Sequence, residues 1–401
     1  MPTKKMSNYP TIQLKRDKER SVLRFHPWIF SGAIQSATAD LKDGDIVKVV
    51  SNKNVLLCLG HFFHGSIAVK ILTFKDEIIN DAFWLKKIQQ ALELRTKLDL
   101  VNNETTNCFR LIHAEGDNCP GLVIDIYHDT AVIQCHTIGM HHAVQELADA
   151  LVKLMPFIKN VYDKSASFLP KEYATQISNF WLKGNEPLVQ AKENDCQFTI
   201  DIEQGQKTGF FIDQRENRYL LGQFCKGKSV LNTYCYSGGF SIYALKNQAD
   251  RVVSIDVSKS AIDLVNHNIT LNFPTLNNEL HQAYAIDVFD FFKTNQDKFD
   301  VIILDPPAFA KSINKKHNAV QAYKRLNTEG IKAVNNGGII FTFSCSQVID
   351  RELFAATVMS AAIDAGREVK ILHFLSQPPD HPINIFHPES AYLKGLVLYV
   401  E

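Results

Sequence analysis

The sequence predicts an α/β protein in which a parallel sheet, covered by helices on both faces, follows a compact all-β unit and a small α+β unit. From about residue 226 onward, strand-like apolar runs alternate with helical stretches, a pattern typical of a parallel sheet. Residues 11–74 instead contain short β-type runs separated by turn residues. A helical period at 81–98 opens a second mixed segment. A chain of 401 residues exceeds one usual core, so we expect three domains, at 1–76, 77–185 and 186–401.

The front unit and the middle unit are predicted from their individual runs. TIQL, DIVKVV, VLLCLGHFF and IAVKILTF are the expected strands of an all-β barrel. The middle unit is expected to contain the strands FRLIHAE, LVIDIYHDTAVIQCH and IKNVYDKS and the helix MHHAVQELADALVKLM.

The last unit supplies the longest regular series. Its expected strands are SVLNTY, RVVSIDV, HQAYAID, DVIILDPP, GGIIFTFSCS, VKILHFL and GLVLYV. Its expected helices are FSIYALKN, KSAIDLVNHNITLN, AVQAYKRLNTEGIKAV and RELFAATVMSAAIDAG. Such a domain binds its ligands at the carboxyl ends of the strands.

Composition excludes several classes of protein. Apolar residues make up 45% and charged residues 21%, as in an ordinary globular protein. The polar residues 1–10 do not resemble a secretory signal and no apolar stretch could cross a bilayer, so we expect a cytoplasmic protein with no membrane partner. Its eight cysteines are scattered without metal-ligand spacing, which predicts reduced thiols and no metal site.

Charge is unevenly distributed although it balances overall. The 43 basic and 43 acidic residues cancel, whereas residues 1–80 carry 12 Lys and Arg against 7 Asp and Glu. A dense basic run occupies residues 15–24. This run is either a phosphate-binding surface or a solvated face, and its charge alone leaves both open.

Three successive strand ends form a pattern typical of a nucleoside-containing cofactor. The first strand leads into NTYCYSGGF, where Gly238 and Gly239 permit a sharp turn and a close approach of backbone to ligand. The second ends at Asp256, the usual position of a carboxylate that accepts ribose hydroxyls. The third ends near Asp287, which could accept from the amine of an adenine. The loop lacks the G-x-G-x-x-G of dinucleotide dehydrogenases.

The fourth and fifth strand ends carry the candidate chemistry. FDVIILDPPAF at 299–309 places two rigid prolines after Asp305, which stiffens the chain and aims this carboxylate at a planar substrate. FTFSCS at 341–346 brings the thiol of Cys345 to the same edge. A thiol in this position is a candidate nucleophile, although cysteine is also a common core residue.

Nearly the whole chain resembles the RlmI-type 23S ribosomal RNA cytosine-C5 methyltransferases. The resemblance is carried by HPWIFSG at 26–32, RLI at 110–112, YDKS at 162–165, QKTGFFIDQR at 206–215, DHP at 380–382 and YLKG at 392–395. It implies a Rossmann-like class I methyltransferase domain, an N-terminal PUA-like RNA-binding barrel, S-adenosylmethionine as the cofactor and large-subunit ribosomal RNA as the partner. Many cytosine-C5 RNA methyltransferases carry a cysteine after the proline of the fourth-strand motif. This chain, like the RlmI type, has Ala308 there.

The strand ends and the resemblance together give a set of expected site residues and a mechanism. Cys345 would add to C6 of cytosine, and Asp305 would stabilise the adduct. A homodimer is also expected. The expected cofactor-binding residues are Thr208, Gly209, Asp213, Asn232, Tyr234, Ser237, Gly238, Gly239, Asp256, Asp287 and Asp305. The expected RNA-binding residues are Lys15, Arg20, Arg24 and His26.

Two other functions fit parts of the same pattern. An RNA methyltransferase acting on a guanine nitrogen needs only the Asp-Pro-Pro-Ala-Phe segment, and Cys345 would then be structural. A non-catalytic RNA-binding or ribosome-assembly protein would retain a degenerate cofactor fold. The intact acidic residues at three strand ends count against the second alternative.

Overall fold

The computed structural model describes residues 9–38, 40–310 and 312–401. Residues 1–8, at the start of the predicted first domain, lie outside the described residues. The chain divides into two compact units. Unit 1 comprises Met1–Ala191, Ile200–Phe210 and Pro379–Ser390, and unit 2 comprises Lys192–Thr199, Phe211–Pro378 and Ala391–Glu401. The finer division at residues 76 and 185 stays a prediction.

Unit 1 begins with a six-stranded sheet of strand order β2-β6-β5-β4-β1-β3. Alternate residues of these strands point inward and form a small apolar core that includes Ile12, Val47 and Val69. The elements are β1 Thr11–Leu14, α1 Arg20–Leu23, β2 Trp28–Phe30, β3 Ile34–Ala37, β4 Ile46–Val50, β5 Leu56–Phe62 and β6 Ile67–Thr73.

A five-stranded sheet of order β11-β10-β9-β8-β7 follows in the same unit. Helices α2 and α4 pack on it through one apolar core in which Trp84, Leu147 and Ile133 are buried. The elements are α2 Asp81–Lys97, β7 Cys108–His113, β8 Leu122–Tyr127, β9 Thr130–Cys135, α3 Ile138–His142, α4 Val144–Leu154, β10 Asn160–Asp163, α5 Lys171–Ala174 and β11 Phe180–Lys183. Strands β12 Leu188–Glu193 and β13 Cys196–Asp201 form a separate two-stranded sheet.

Unit 2 is built on a seven-stranded sheet of order β16-β15-β14-β17-β18-β20-β19. Neighbouring strands pair in parallel except for β20, which runs antiparallel to both β18 and β19. The elements are α6 Arg215–Gly222, β14 Ser229–Thr233, α7 Gly239–Lys246, β15 Arg251–Asp256, α8 Lys259–Asn272, β16 His281–Ala285, α9 Val288–Thr294, β17 Phe299–Leu304, α10 Lys316–Ala333, β18 Val334–Ser344, α11 Arg351–Ala365, β19 Val369–Leu375 and β20 Lys394–Val400.

Local sequence explains where the helices of unit 2 begin and end. The Ser258 hydroxyl caps α8 by accepting from the N–H of Ala261, and the Asp350 carboxylate caps α11 by accepting from the N–H of Leu353. Gly366 ends α11 in the left-handed conformation, with φ of 65°. These signals fix the helix ends, and the buried strand runs β14, β17 and β18 supply the core between them.

The structure confirms the predicted fold class, an α/β domain preceded by an all-β and an α+β part. The predicted strands and helices of unit 2 agree with the observed elements to within a few residues at each end. The short strands β2, β3, β11 and β12 and the short helices α1, α5, α6 and α9 were not predicted. Among the described residues, no helix is long and apolar enough to cross a membrane.

Candidate functional site

The carboxyl ends of the parallel strands in unit 2 lie along one edge of the sheet. Thr233 pairs with Ile255 on one side and Leu304 on the other, and Leu304 pairs with Thr342. The chain segments that follow β14, β15, β17 and β18 therefore leave the sheet side by side. This register brings together the predicted sites at 234–239, Asp256, Asp305 and Cys345.

The loop after β14 has an unusual backbone. Tyr234, Tyr236 and Gly238 all have positive φ angles, of 53°, 45° and 81°. A non-glycine residue in this region costs about 1 kcal/mol or more, and such strain collects at ligand sites. A Cβ on Gly239 would lie 2.9 Å from Cδ of Arg218, so a larger residue where α7 begins would displace this buried, ion-paired side chain. The loop is thus a tight turn in an unusual backbone conformation at the ligand edge of the sheet.

Below this loop lies a chain of buried hydrogen bonds that crosses three strands. The side-chain amide of Asn232 donates to the Ser241 hydroxyl over 2.9 Å, and that hydroxyl is 2.7 Å from the Ser254 hydroxyl. Ser254 in turn lies 2.9 Å from Nε2 of His281. Burial lowers the pKa of His281 to about 4, so its imidazole is neutral at pH 7. The chain fixes the orientation of the Asn232 amide.

Asp256 links the end of β15 to the loop after β14. Its Oδ2 accepts from the backbone N–H of Tyr236 over 3.1 Å, and its Oδ1 accepts from the N–H of Ser258 over 2.9 Å. The carboxylate is half-buried and each oxygen has a second lone pair. Asp256 can therefore hold the loop and accept from a ligand hydroxyl at the same time.

Tyr234 lies close to both of the acidic residues predicted to contact the cofactor. Burial raises the pKa of its hydroxyl, and the negative charges of Asp287 and Asp256 raise that pKa further. Asp287 itself is exposed and caps α9, because its Oδ1 accepts from the backbone N–H of Phe289 over 2.9 Å. The carboxylates at the ends of β15 and β16 are thus both near enough to the Tyr234 hydroxyl to act on it.

Asp305 is oriented by a residue that the sequence reasoning did not select. The side-chain amide of Gln214 donates to Asp305 Oδ2 over 3.0 Å, and Asn217 donates to Gln214 Oε1 over 2.6 Å. Asp213, the neighbour that was selected, is 6% exposed and accepts from the Tyr392 hydroxyl over 2.7 Å. Gln214 lies inside the QKTGFFIDQR segment, and its buried amide beside a candidate catalytic carboxylate is the signal that was missed.

Cys345 follows β18 directly. Of the eight cysteines, all within the described ranges, it alone is half-buried, and the other seven are buried. Its charged form interacts with the buried hydroxyl of Tyr323, and so does the charge of Asp305. Burial raises the pKa of Tyr323, and the two negative charges raise it further. The two predicted catalytic residues therefore both lie near the hydroxyl of one tyrosine, Tyr323, which the sequence did not indicate.

Thr208 and Gly209 belong to unit 1. Thr208 is fully buried and donates to Asp125 Oδ2 over 2.6 Å, and its hydroxyl lies 2.8 Å from that of Tyr127. Gly209 has φ of 131° and would place a Cβ 2.6 Å from a methyl of Ile200. Their predicted role in cofactor binding stays a prediction.

The predicted RNA-binding residues lie in the first sheet region of unit 1. Lys15, Arg20 and Arg24 are exposed, and Lys15 donates to the carbonyl of Gly32 over 3.0 Å. His26 is half-buried, and its Nδ1 accepts from the backbone N–H of Trp28 over 3.2 Å. The three long cations are therefore available to a phosphate backbone, whereas the imidazole of His26 is oriented by the chain.

The residues of unit 2 fit the S-adenosylmethionine predicted from the sequence. The side-chain oxygen of Asn232, at the end of β14, is buried and has no hydrogen-bond partner among the described residues, so one acceptor is unsatisfied there. Ser237 is 3% exposed, and its backbone carbonyl accepts a hydrogen bond from the side-chain amide of Asn268. A tight glycine loop, an acceptor at Asp256 and an unsatisfied acceptor at Asn232 suit a cofactor with hydroxyl and ammonium donors.

Comparisons with known proteins identify relatives over almost the whole chain. Residues 155–398 match the family model for S-adenosylmethionine-dependent methyltransferases, and residues 12–74 match that for a PUA-like domain. Ribosomal RNA large subunit methyltransferase I of Tolumonas auensis is 38% identical over 396 residues, which is 97% of this chain and 98% of that protein. The protein of the same name from Alteromonas mediterranea is 38% identical over 401 residues, covering 98% and 99% of the two chains.

Solved structures share the fold at lower identity. The methyltransferase SMU.776, crystallised with SAH, superposes with a TM-score of 0.83 at 22% identity and covers 97% of this chain and 99% of its own. A Streptococcus mutans structure described as a SAM-dependent methyltransferase gives a TM-score of 0.82 over the same shares.

Proposed function

Because the chain belongs to the S-adenosylmethionine-dependent ribosomal RNA large subunit methyltransferase I family, we propose that it methylates C5 of a cytosine in large-subunit ribosomal RNA through a covalent adduct with Cys345. The family relationship extends over almost the whole chain, including the PUA-like domain. The choice of base and the covalent step are the parts of this proposal that need an experiment of their own.

The arrangement of Cys345, Asp305 and Tyr323 is the observation that carries the proposal. A structural cysteine is usually buried, as the other seven are. Cys345 is instead half-buried at the ligand edge of the sheet and interacts with the same tyrosine hydroxyl as Asp305. A thiol and a carboxylate at one small site suit a reaction that needs a nucleophile and an acid partner.

The chemistry explains why a thiol is needed. Carbon C5 of cytosine is a weak nucleophile. When the thiolate of Cys345 adds to C6, an S–C6 bond forms and the ring π-electrons make C5 enamine-like. C5 takes the electrophilic methyl group that bound S-adenosylmethionine would supply, so that a C5–methyl bond forms while the methyl–sulfonium bond breaks and its electron pair stays on the cofactor sulfur. A base then removes the proton from C5, the S–C6 bond breaks with its electron pair returning to sulfur, and the aromatic ring is restored.

Asp305 stabilises the ring of the adduct. Addition of sulfur places negative charge on the cytosine ring, and a hydrogen-bond partner at N3 and N4 lowers the energy of that state. Gln214 donates to one oxygen of Asp305, which holds the carboxylate in one orientation. The two prolines after Asp305 keep the chain extended, so the group does not need to reorganise during the reaction.

The basic residues of unit 1 bind the surrounding RNA. Lys15, Arg20 and Arg24 are exposed within the PUA-like match and can neutralise phosphates, and His26 lies beside them. The target base of a structured RNA is unstacked to reach a pocket. The cytoplasmic location and the homodimer stay predictions.

A mechanism-based trap tests the covalent step. A ribosomal RNA fragment with 5-fluorocytosine at the target position can form the adduct. The fluorine at C5 cannot be removed by a base as the C5 proton can, so the adduct persists. Wild-type protein with S-adenosylmethionine is expected to give a protein–RNA complex that survives denaturing electrophoresis. Cys345→Ala is expected to give none while its cofactor affinity, measured by calorimetry, stays unchanged. Cys135→Ala, which removes a fully buried thiol, serves as the matched control and should still be trapped.

The contrary result has a specific meaning. If Cys345→Ala methylated RNA near the wild-type rate, the cytosine-C5 assignment would be wrong and methylation of a guanine nitrogen would be the better reading. Mass mapping of the modified nucleotide in the same RNA identifies the base directly.

A further inference from the structure

The antiparallel strand β20 begins at the same edge of the sheet where the parallel strands end. Its first residue, Lys394, pairs with Ser344, the last residue of β18, so it lies beside the chain that carries Cys345. Lys394 is 7% exposed. A nearly buried lysine at a ligand edge is costly unless its charge is used or paired.

The ammonium of Lys394 is bound to two backbone carbonyls. Its Nζ donates to the carbonyl oxygen of Ser346 and to that of Tyr392, each over 2.7 Å. The Ser346 hydroxyl in turn donates to the carbonyl of Ala310 over 2.6 Å. The turn that contains Cys345 is therefore fixed at the residue after the thiol by a buried cation and by a hydrogen bond to the segment after β17.

The charged groups around this turn have both signs. Burial lowers the pKa of Lys394 to about 8, whereas the negative charges of Cys345 and Asp350 act to raise it. Tyr323 approaches Cys345 from α10 with a hydroxyl whose pKa burial raises, and Asp305 interacts with that same hydroxyl from the end of β17. Lys394 is the positive group of this set. Because the interaction between the two charges is mutual, a thiolate that stabilises the Lys394 ammonium is itself stabilised by that ammonium.

We propose that Lys394 is a positioning residue of the cysteine site, which fixes the turn 344–346 and stabilises the Cys345 thiolate through its buried ammonium. A neutral hydrogen-bond donor would be enough to bind the two carbonyl oxygens. A charge held nearly out of water and next to the half-buried thiol adds an electrostatic effect that a neutral donor lacks. The inference rests on the proposed role of Cys345 as nucleophile.

The pH dependence of thiol alkylation tests this inference without methyl transfer. Full-length protein is treated with iodoacetamide from about pH 6 to about pH 10, and alkylation of the Cys345 peptide is followed by mass spectrometry. In wild-type protein we expect half-maximal alkylation below about pH 8.5, the ordinary value for a free thiol. In Lys394→Met the midpoint should rise by about one pH unit, and Lys394→Arg, which keeps the charge, should restore it.

Lys370→Met is the matched control. Lys370 lies on the neighbouring strand β19, is exposed and pairs with Glu401, so its loss should leave the midpoint unchanged. Binding of S-adenosylhomocysteine by calorimetry reports whether each variant is folded. A purely structural lysine would change this binding or the thermal stability but not the midpoint.

The possible outcomes separate the two proposals. A midpoint in folded Lys394→Met equal to that of wild type overturns the inference about Lys394. If Lys394→Met does not fold, a wild-type midpoint at or above about pH 8.5 overturns it, and a lower wild-type midpoint that Lys394→Arg retains supports it. If Cys345→Ala still methylates RNA, the proposed function fails whatever the alkylation profile shows.

Discussion

Replacing Asp256 by alanine tests the assignment of the cofactor site. The carboxylate is half-buried and holds two backbone N–H groups at 3.1 and 2.9 Å while retaining lone pairs for a ligand. A hydrogen bond to a charged acceptor contributes about 1.5 to 3 kcal/mol, and every 1.4 kcal/mol changes affinity about tenfold. Loss of one ribose contact alone therefore predicts at least about tenfold weaker binding of S-adenosylmethionine.

Titration calorimetry with S-adenosylhomocysteine measures the effect, and a thermal melt confirms that the variant is folded. Asp256→Asn keeps an oxygen acceptor without the charge and should lose less affinity than Asp256→Ala. Asp290→Ala removes an exposed carboxylate from α9 and is the matched control. An Asp256→Ala protein that bound the ligand within twofold of wild type would remove this residue from the site and would undermine the reasoning from strand ends.

Two further predictions concern unit 1. Replacing Lys15, Arg20 and Arg24 together by alanine should weaken RNA binding. The slope of log affinity against log salt concentration should become shallower by about 2 to 3, because each lost phosphate contact removes about 0.7 to 0.9 from it. Filter binding at several salt concentrations measures this slope, and an unchanged slope would contradict the prediction. The second prediction concerns acid stability. Burial lowers the pKa of His61 to about 3. Below about pH 6.5 the imidazole is therefore protonated in the unfolded chain but stays neutral in the folded chain. The free energy of unfolding should fall by up to about 1.4 kcal/mol per pH unit as the pH is lowered. Urea unfolding at several pH values should give a smaller slope for His61→Gln, and equal slopes in the two proteins would show that His61 does not cause the loss.

The regular part of the fold could be predicted because its signals are local. Strands β14, β15 and β17 are mostly buried, β17 carries the apolar run 301–304, and the cap Ser258 precedes α8 directly. Strand β2 was missed because it has three residues and only the middle one is buried. Helix α9 was missed because it has seven residues, and Asp287, which caps it, was interpreted only as a ligand contact.

The placement of the candidate site residues could be predicted at the ends of strands, but not where it depends on distant contacts. Asp256 is the last residue of a strand that the pattern identifies, and Asp305 and Cys345 directly follow two others. Gln214 acts on a residue 91 positions away in the chain. Lys394 bonds to a carbonyl 48 positions away. Pairings at such separations are created by the tertiary fold, and no local period indicates them.

The placement of β20 has a consequence for synthesis of the chain on the ribosome. β20 is translated after β19 but lies between β19 and β18, so β19 cannot join the sheet when it emerges. Until β20 follows, the growing sheet ends at β18 with unpaired backbone groups, the kind of edge that attracts other strands. The turn after β18 also lacks its buried cation during this interval. The nascent protein therefore acquires its complete sheet and its complete cysteine site in the same late step.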